Sequence, residues 1–373
     1  MKYYIISGEA SGDLHGSNLM QAIKKRDAEA EFRFWGGDLM QAQGGTLVKH
    51  YRDLAFMGII EVLLNIRTIF KNLKFCKEDL MQNVPDILIL IDYPGFNLKV
   101  AEFAKENGIR IFYYISPKIW AWKTSRVKII KRCIERVFVI LPFETDFYKK
   151  YDVKVDYVGN PILDAIENKK PQLASREAFL KENNLLDKPI IALLAGSRKH
   201  EISKCLPEMI KASEHYPDFQ FVLAGAPSIE PGVYRPFIEG KNIAVLYDQT
   251  YDILNNSHAA IVTSGTATLE TALFDVPEVV MYKIMLLTYI IGKPFVHIRF
   301  FSLVNLIMDK EVVKELLQFK LVENIKNEMD KILYDKAYRE NMLENYRILH
   351  TRMGETGVSE RAAELMLNYL KEE

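Results

Sequence analysis

The stretch PDILILIDYPGFN, residues 85–97, holds the pattern that decides the fold. Its uninterrupted apolar run from Ile87 to Ile91 predicts a strand buried on both faces. The strand ends on Asp92, and a Pro-Gly turn and a helical pattern follow. Ligands of open α/β sheets bind beyond the carboxyl ends of the strands, so Asp92 is placed to take a proton from a substrate hydroxyl. Alternatively, Asp92 only starts the turn or caps the following helix.

Short apolar strands alternate with helical patterns along almost the whole chain, which predicts parallel sheets with helices on both faces. The charged segment 167–188 separates two series of strands, and we interpret it as the join between two Rossmann-like halves. The final part, from about Lys336, is predicted to be helical. The predicted strands are Tyr3–Ser7, Phe32–Gly36, Ile87–Ile91, Arg110–Ile115, Val137–Leu141 and Asp156–Val158, then Ile190–Leu194, Gln220–Ala224, Ile243–Leu246, Ala259–Thr263 and Glu278–Met281.

Composition limits the class of protein. The chain has 373 residues, enough for two domains, and its 49 basic and 49 acidic residues give a net charge of zero, which argues against bulk nucleic-acid binding. The three cysteines show no metal-ligand or disulfide spacing, so a reducing cytoplasm is expected. The first apolar run is too short for a signal peptide, and no stretch is long and apolar enough to span a membrane.

Three glycine-rich turns each follow a predicted strand and open a helix. The first is SGEASGDLHG, residues 7–16, which is neither a dinucleotide fingerprint nor a Walker A loop. Its glycines allow close backbone approach to a ligand, and the helix start offers free N–H groups. A tight turn without any ligand is the alternative.

The second turn contains Gly196, Ser197 and Arg198, and its small residues, arginine and helix start favour a phosphate. The third contains Ser264, Gly265 and Thr266 and forms a second anion site in the same half, while Glu270 lies farther along the helix, where it can bind sugar hydroxyls. Two such turns suit a diphosphate better than a monophosphate. A surface ion pair for Arg198 and simple helix capping by the hydroxyls are the alternatives.

Two further segments indicate ligand contacts. The loop 113–123, YYISPKIWAWK, combines aromatic and basic residues that can stack on a sugar or contact a phosphorylated acceptor, with Trp122 as a candidate; its tryptophans can equally anchor the loop in the core. The stretch 56–75 places apolar residues on one helix face beside Arg67, Lys71 and Lys74, which suits an anionic membrane surface or acyl chains, or else an ordinary core helix. The predicted membrane or acyl contacts are Ile59, Leu63, Ile66 and Phe70.

Taken together, the motifs resemble one family, the lipid-A-disaccharide synthases, which are inverting glycosyltransferases of the GT-B fold. The matches run in order over most of the chain, and Asn160 departs from the histidine that the family commonly carries there. The matching motifs are GEASGD (8–13), MGIIEVL (57–63), IDYPGFN (91–97), YYISPKIWAW (113–122), LPFE (141–144), VGNP (158–161), GSR (196–198), TSGTATLE (263–270) and SLVNLIMDKEVVKELLQ (302–318).

The resemblance implies two Rossmann-like domains that face each other across a cleft. Residues 1–166 would bind the acceptor and lipid, residues 167–345 would bind the UDP-sugar, and residues 346–373 would return as a helix to the first domain. The implied donor is UDP-2,3-diacylglucosamine and the implied acceptor is 2,3-diacylglucosamine 1-phosphate, with no metal or other cofactor. The implied location is the cytoplasm, at the inner face of the cytoplasmic membrane; the oligomeric state stays open, with a homodimer as one option.

The resemblance also implies roles for individual residues. Asp92 would be the general base, and Arg198 would stabilise the leaving diphosphate. The implied UDP ligands are the turns at Gly196–Ser197 and Ser264–Thr266, together with Glu270, Asn305 and Glu311. The acceptor would be bound by Ser11, Asp13 and Trp122. The alternatives are an enzyme like UDP-N-acetylglucosamine 2-epimerase and a non-catalytic nucleotide-sugar binding protein.

Overall fold

Two parallel sheets organise the chain in a computed structural model that describes residues 1–54, 66–121, 124–283 and 299–372. The chain divides into a first unit, Met1–Asp164 with Glu355–Glu373, and a second unit, Ala165–Gly354. The first boundary therefore lies at Asp164 rather than at residue 166. The second lies at Glu355 rather than at residue 346, because one helix runs unbroken from Lys336 to Met353.

The first unit contains a sheet of seven strands in the order β3-β2-β1-β4-β5-β6-β7. All neighbouring strands are parallel, and their side chains are largely buried because helices cover both faces. The strands are β1 Lys2–Ser7, β2 Glu31–Gly36, β3 Thr46–His50, β4 Ile87–Ile91, β5 Ile111–Tyr114, β6 Arg136–Val139 and β7 Val155–Tyr157. The helices that start in this unit are α1 Ala10–Lys24, α2 Asp38–Ala42, α3 Ile66–Gln82, α4 Pro94–Glu106, α5 Val127–Cys133, α6 Phe143–Lys149, α7 Pro161–Lys169 and, at the end of the chain, α16 Val358–Lys371.

The second unit contains a parallel sheet of six strands in the order β10-β9-β8-β11-β12-β13. Its strands are β8 Ile190–Leu194, β9 Gln220–Gly225, β10 Ile243–Tyr247, β11 Ser257–Thr263, β12 Glu278–Tyr282 and β13 Lys314–Leu317. Its helices are α8 Arg176–Glu182, α9 Lys199–Ser213, α10 Arg235–Ile238, α11 Thr250–Asn255, α12 Thr266–Leu273, α13 Leu303–Met308, α14 Leu321–Tyr334 and α15 Lys336–Met353.

The C-terminal helix α16 is part of the first unit. It packs along α1, and Val358, Ala362 and Met366 join the core beneath that face of the sheet. The Asp164 carboxylate accepts the N–H groups of Gly357 and Val358 at 2.6 and 3.0 Å, so it caps the start of α16. The predicted return of the C-terminal helix to the N-terminal domain and the predicted α/β class of two Rossmann-like sheets are confirmed.

Candidate active site

The first candidate site lies where the strand order of the first sheet reverses. Strands β1 and β4 are neighbours, with Ser7 opposite Ile91, but their helical connections lead to opposite sides of the sheet. The turns after these two strands therefore lie together at the carboxyl edge, the edge where all the parallel strands end. This is the position at which open α/β sheets bind ligands.

The turn after β4 is strained and held in place. Asp92 and Tyr93 have φ values of 41° and 47°, a left-handed conformation that costs free energy for residues other than glycine. Two side chains donate hydrogen bonds to the main-chain oxygen of Asp92: the hydroxyl of Tyr113 and the amide of Asn97. The turn is thereby fixed, and the Asp92 side chain remains half-buried at the carboxyl edge.

The Asp92 carboxyl group has the electrostatics of a general base. Burial and, to a smaller extent, the nearby charge of Glu9 raise the pKa of Asp92 to about 6, against the opposing charge of Lys118. Asp92 is therefore ionised at neutral pH and more basic than an exposed aspartate. Both properties are needed to accept a proton from a hydroxyl.

The first glycine-rich turn packs directly against this site. A Cβ atom on Gly8 would lie 2.4 Å from the ring of Tyr93, so only glycine allows the β1 and β4 turns to approach this closely. Glu9 is part of the GEASGD motif, but no sequence pattern indicates a role for it. Its effect on Asp92 depends on the contact between two turns more than eighty residues apart, which one sequence does not reveal.

Asp13 has a structural role at the start of a neighbouring helix. Its carboxylate is 3% exposed and accepts the N–H groups of Gly37, Leu39 and Met40 at 2.7, 3.1 and 3.1 Å. These bonds satisfy the first N–H groups of α2, so Asp13 caps this helix, and its contact with the acceptor stays a prediction. Ser11, in the first turn of α1, is exposed, and its contact with the acceptor stays a prediction.

The aromatic loop after β5 is anchored by a buried glutamate for which the sequence predicts no role. Glu144, in the LPFE motif, is 1% exposed and accepts the indole N–H of Trp120 at 3.2 Å. Trp120 is therefore an anchor of the loop, which was one of the two interpretations of this segment. Trp122, the other tryptophan, lies outside the described residues, as do Ile59 and Leu63.

Asn160, where the family commonly carries histidine, has a structural role. Its side-chain oxygen accepts the N–H of Ile162 at 3.1 Å, and its amide donates to the carbonyl of Ile140 at 3.2 Å. Asn160 therefore caps α7 and ties it to the end of β6.

The second candidate site lies at the corresponding reversal of the second sheet. Strands β8 and β11 are neighbours, with Leu194 opposite Val262, so the two predicted phosphate turns lie side by side. Gly196 has a φ of 105°, and a Cβ atom there would lie 2.7 Å from Oε2 of Glu201. The same Oε2 accepts the N–H of Ser197 at 3.1 Å, so Glu201 folds this turn tightly over the start of α9.

Arg198 is the last residue before α9 and is available to a ligand. Its side chain is 59% exposed and lies 3.5 Å from Glu201. An ion pair of this length on an exposed side chain is weak, so an anion can compete for the guanidinium. The alternative interpretation as a surface ion pair describes the unliganded state and does not conflict with phosphate binding.

The third glycine-rich turn opens α12. Gly265 and Thr266 are exposed at the start of this helix, where the first N–H groups have no intrahelical acceptor and favour an anion. The Ser264 hydroxyl donates to the carbonyl of Phe301 at 2.8 Å, so it also ties the turn to a neighbouring loop.

Glu270, one turn into α12, is held by Tyr251, whose hydroxyl donates to Oε1 at 2.8 Å. Burial raises the pKa of Glu270, and the hydrogen bond from Tyr251 opposes that rise. Oε2 has no part in the hydrogen bond with Tyr251, so this arrangement agrees with the predicted contact to sugar hydroxyls.

Asn305 has a structural role in the ligand-free protein, and its contact with UDP stays a prediction. It is fully buried, its amide donates to Val313 and Glu315, and its oxygen accepts the N–H groups of Val312 and Val313. All its polar atoms serve the packing of α13 against β13. Glu311 is exposed and forms an ion pair with Lys314 at 3.0 Å, and its contact with UDP stays a prediction.

Neither a metal site nor a membrane-spanning helix is found in the part of the chain that the structure describes. Within residues 1–54, 66–121, 124–283 and 299–372, no group of three or more histidine, cysteine, aspartate or glutamate side chains is arranged to hold a metal ion. The helices in the same ranges include none that is long and apolar enough to cross a membrane.

The comparisons with known proteins identify the family. A model of the lipid-A-disaccharide synthetase family matches residues 3–366. The chain belongs to the lipid-A-disaccharide synthetase family. Similar proteins named lipid-A-disaccharide synthase include one from Geobacter sulfurreducens, 36% identical with 98% of this chain and 96% of the relative covered. Another, from Myxococcus xanthus, is 38% identical, with 98% and 97% covered.

Solved structures with the same fold include proteins with two different activities. A putative UDP-N-acetylglucosamine 2-epimerase from Listeria monocytogenes has a TM-score of 0.67 at 13% identity, with 100% of this chain and 97% of that chain covered. The calicheamicin glycosyltransferase CalG4 has a TM-score of 0.61 at 14% identity, with 100% and 98% covered. These similarities show the two-domain fold alone, since one fold hosts many activities. The family resemblance inferred from the motifs is confirmed, and membership of the lipid-A-disaccharide synthetase family does not favour the epimerase alternative.

Proposed function

We propose that this chain transfers the diacylglucosamine of UDP-2,3-diacylglucosamine to the 6-hydroxyl of 2,3-diacylglucosamine 1-phosphate. The products are the β-1,6-linked disaccharide 1-phosphate and UDP. Membership of the lipid-A-disaccharide synthetase family supports the activity of a glycosyltransferase that forms the lipid A disaccharide. The observation that carries the mechanism is Asp92, half-buried at the carboxyl edge of the first sheet with a pKa raised to about 6.

The reaction is a single displacement with inversion. The acceptor's 6-oxygen forms a bond to the donor's anomeric carbon while the bond from that carbon to the diphosphate oxygen breaks, and UDP leaves with the electron pair. Asp92 takes the proton of the attacking hydroxyl, a contribution typically worth about 10²–10⁴ in rate.

The second unit supplies the groups for the donor. Arg198 and the helix start at Gly265–Thr266 stabilise the negative charge that grows on the diphosphate, and Glu270 binds the ribose hydroxyls. The proposal assigns this charge stabilisation to the protein without a metal ion. Turnover that is unchanged by EDTA is the expected result, and loss of turnover that Mg²⁺ restores would contradict this part.

The central experiment is Asp92→Asn. We expect turnover to fall by about 10²–10⁴, whereas inhibition by the product UDP stays at the wild-type level because Arg198 and the third turn are intact. Asp146→Asn is the matched control, since Asp146 is an exposed aspartate of the same unit. Near wild-type turnover of Asp92→Asn would refute the assignment of the base.

The donor assignment has its own test. Arg198→Ala should weaken inhibition by UDP and raise the KM of the donor, because one charged group is removed from the diphosphate. Unchanged UDP inhibition would count against Arg198 as a phosphate ligand, while leaving the role of Asp92 open to its own test.

The membrane contact belongs to the first unit. Helix α3 exposes Ile66 and Phe70, and a groove of about 620 Å³ beside it is lined by Phe70, Lys74 and Lys77. Apolar side chains flanked by lysines favour an anionic lipid surface and the acyl chains of the substrates. We place this face on the inner surface of the cytoplasmic membrane.

Liposome flotation tests this placement. The wild-type chain should float with phosphatidylglycerol vesicles, and Phe70→Ser with Lys74→Ser should reduce flotation. The control is the double variant Lys128→Ser with Asp146→Ser, at two exposed positions elsewhere in the unit. Equal flotation of both double variants would contradict the placement.

A further inference from the structure

The loop after β5, residues 115–121, rises directly beside the candidate base. Strands β4 and β5 are neighbours with Ile91 opposite Tyr114, so Asp92 and the first residue of this loop emerge side by side at the carboxyl edge. The loop carries an exposed lysine, Lys118, at its centre. The mechanism proposed above gives this residue no task.

Helix α6 clamps this loop at two points. Glu144 accepts the indole N–H of Trp120 at 3.2 Å, and its other oxygen accepts the N–H of Leu141 at 3.0 Å. One helical turn later, the hydroxyl of Tyr148 lies 2.6 Å from Oγ of Ser116. The anchored residues Ser116 and Trp120 bracket Lys118 symmetrically, so the clamp fixes the backbone from which this lysine extends.

Lys118 is electrostatically coupled to the catalytic edge. Burial raises the pKa of both Asp92 and Glu144, and the positive charge of Lys118 opposes that rise at both carboxyl groups. Glu9 adds a further negative charge beside Asp92. A phosphorylated ligand that approached these carboxyl groups would be repelled unless a cation lay on the same side.

The proposed acceptor is such a phosphorylated ligand. Its attacking 6-hydroxyl and its 1-phosphate are attached through the two ring carbons that flank the ring oxygen, so a hydroxyl at Asp92 places the phosphate a short distance to one side. A lysine ammonium on a flexible stem suits a phosphate as a point charge.

We propose that Lys118 binds the 1-phosphate of the acceptor and that Glu144 and Tyr148 are positioning residues that hold the Lys118 loop for this contact. The inference rests on the proposed function, because it requires the acceptor hydroxyl to lie at Asp92. It adds a specificity element: the enzyme distinguishes a phosphorylated acceptor from a neutral one through this loop.

The experiment compares two acceptors in mixed micelles, 2,3-diacylglucosamine with and without the 1-phosphate. The measured quantity is the ratio of their kcat/KM values. In Lys118→Met this ratio should fall about tenfold, the effect of one charge-assisted hydrogen bond, and Lys118→Arg should recover most of it. Lys128→Met is the matched control, since Lys128 is an exposed lysine of the same unit, and it should keep the wild-type ratio.

Other sources of phosphate give different results. If Lys118 serves the donor's diphosphate, Lys118→Met raises the KM of the donor and leaves the acceptor ratio unchanged. If it serves lipid headgroups, flotation with phosphatidylglycerol vesicles falls and the ratio in micelles stays. Either outcome overturns the proposal, as does a wild-type ratio in Lys118→Met.

The clamp is tested by the same ratio. Tyr148→Phe and Glu144→Gln should lower it several-fold, whereas a merely structural role would lower kcat/KM for both acceptors equally. Equal loss for both acceptors would remove the positioning role. Failure of the Asp92 assignment is separate, because it is judged from turnover of Asp92→Asn and not from the ratio of the two acceptors.

Discussion

The hydroxyl of Tyr113 donates a hydrogen bond to the main-chain oxygen of Asp92 at 2.5 Å, and the Asn97 amide donates to the same oxygen at 2.8 Å. Two neighbouring elements, β5 and α4, thus fix a residue whose φ of 41° is unfavourable for aspartate. The strained turn includes the residue whose carboxyl group is expected to react. Rigid support of this kind holds a catalytic group in its productive geometry.

Tyr113→Phe removes one of these two bonds without changing the packed volume. We expect kcat to fall about tenfold, since one buried hydrogen bond is worth about 1–1.5 kcal/mol and the turn becomes free to relax. Tyr3→Phe is the control: Tyr3 is equally buried, and its hydroxyl bonds Asp27 at the other end of the sheet. Steady-state kinetics and thermal unfolding of both variants check the prediction, and equal kcat values would contradict it.

The sequence indicated most of the fold because the strands are apolar on both faces. Every predicted strand is present, and the two missed strands have plain reasons. Strand β3 is a half-buried edge strand, and β13, KELL, consists mainly of residues that favour helices.

The sequence indicated the site less completely, because hydrogen-bond saturation is a property of three-dimensional contacts. Asp13 and Asn305 have the residue types of ligands, and the sequence did not reveal that they also form hydrogen bonds within the protein. Conversely, Glu144 and Tyr251 act through residues at least nineteen positions away, which no local pattern reports. The positions of Asp92 and Arg198 at the carboxyl edges of the sheets were predictable, because each residue follows a strand at a sheet's reversal point.

The pH dependence of turnover should report Asp92. Because its pKa is raised to about 6 and the base must be ionised, the rate should fall about tenfold per pH unit below that value. The acceptor phosphate titrates in the same range, so the enzyme's contribution needs a variant. Glu9→Gln removes a neighbouring negative charge and should shift the acid limb to lower pH. An unshifted limb would assign the titration to the substrate.

Tyr251→Phe should impair donor binding in a pH-dependent manner. Its hydroxyl opposes the burial that raises the pKa of Glu270, so its loss raises that pKa further and favours the protonated form. A protonated Glu270 is a poorer hydrogen-bond acceptor for the ribose hydroxyls. The KM of the donor should therefore rise by about tenfold, and more at pH 6 than at pH 8. Initial rates at varied donor concentration test this, and a pH-independent KM in the variant would contradict it.

Asp164→Ala should release the C-terminal helix. It removes the caps on Gly357 and Val358 and should cost about 1–2 kcal/mol. Hydrogen exchange should then quicken in residues 358–371 more than in the helices of the second unit. Uniform exchange throughout the chain would show that α16 does not depend on this cap.

The second unit contains a buried acid with no compensating contact. Glu278, at the start of β12, is fully buried, and neither of its carboxyl oxygens has a hydrogen-bond partner among the described residues. Burial raises its pKa well above the ordinary value, so the native state binds this proton more tightly than the unfolded chain does. The free energy of unfolding must therefore decrease as the pH rises above the unfolded value, about 4.3, toward the raised native value.

Glu278→Gln should remove the decrease in the free energy of unfolding with rising pH. Glu278→Leu should also stabilise the chain at pH 8 by about 1–3 kcal/mol, because no uncompensated polar group is left buried. Glu328→Gln is the matched control: Glu328 is equally inaccessible but pairs with Lys331 at 3.1 Å, so its substitution should destabilise. Urea unfolding at pH 5 and pH 8 distinguishes the two glutamates. A wild-type difference in stability between these pH values in Glu278→Gln would show that another group titrates in this window.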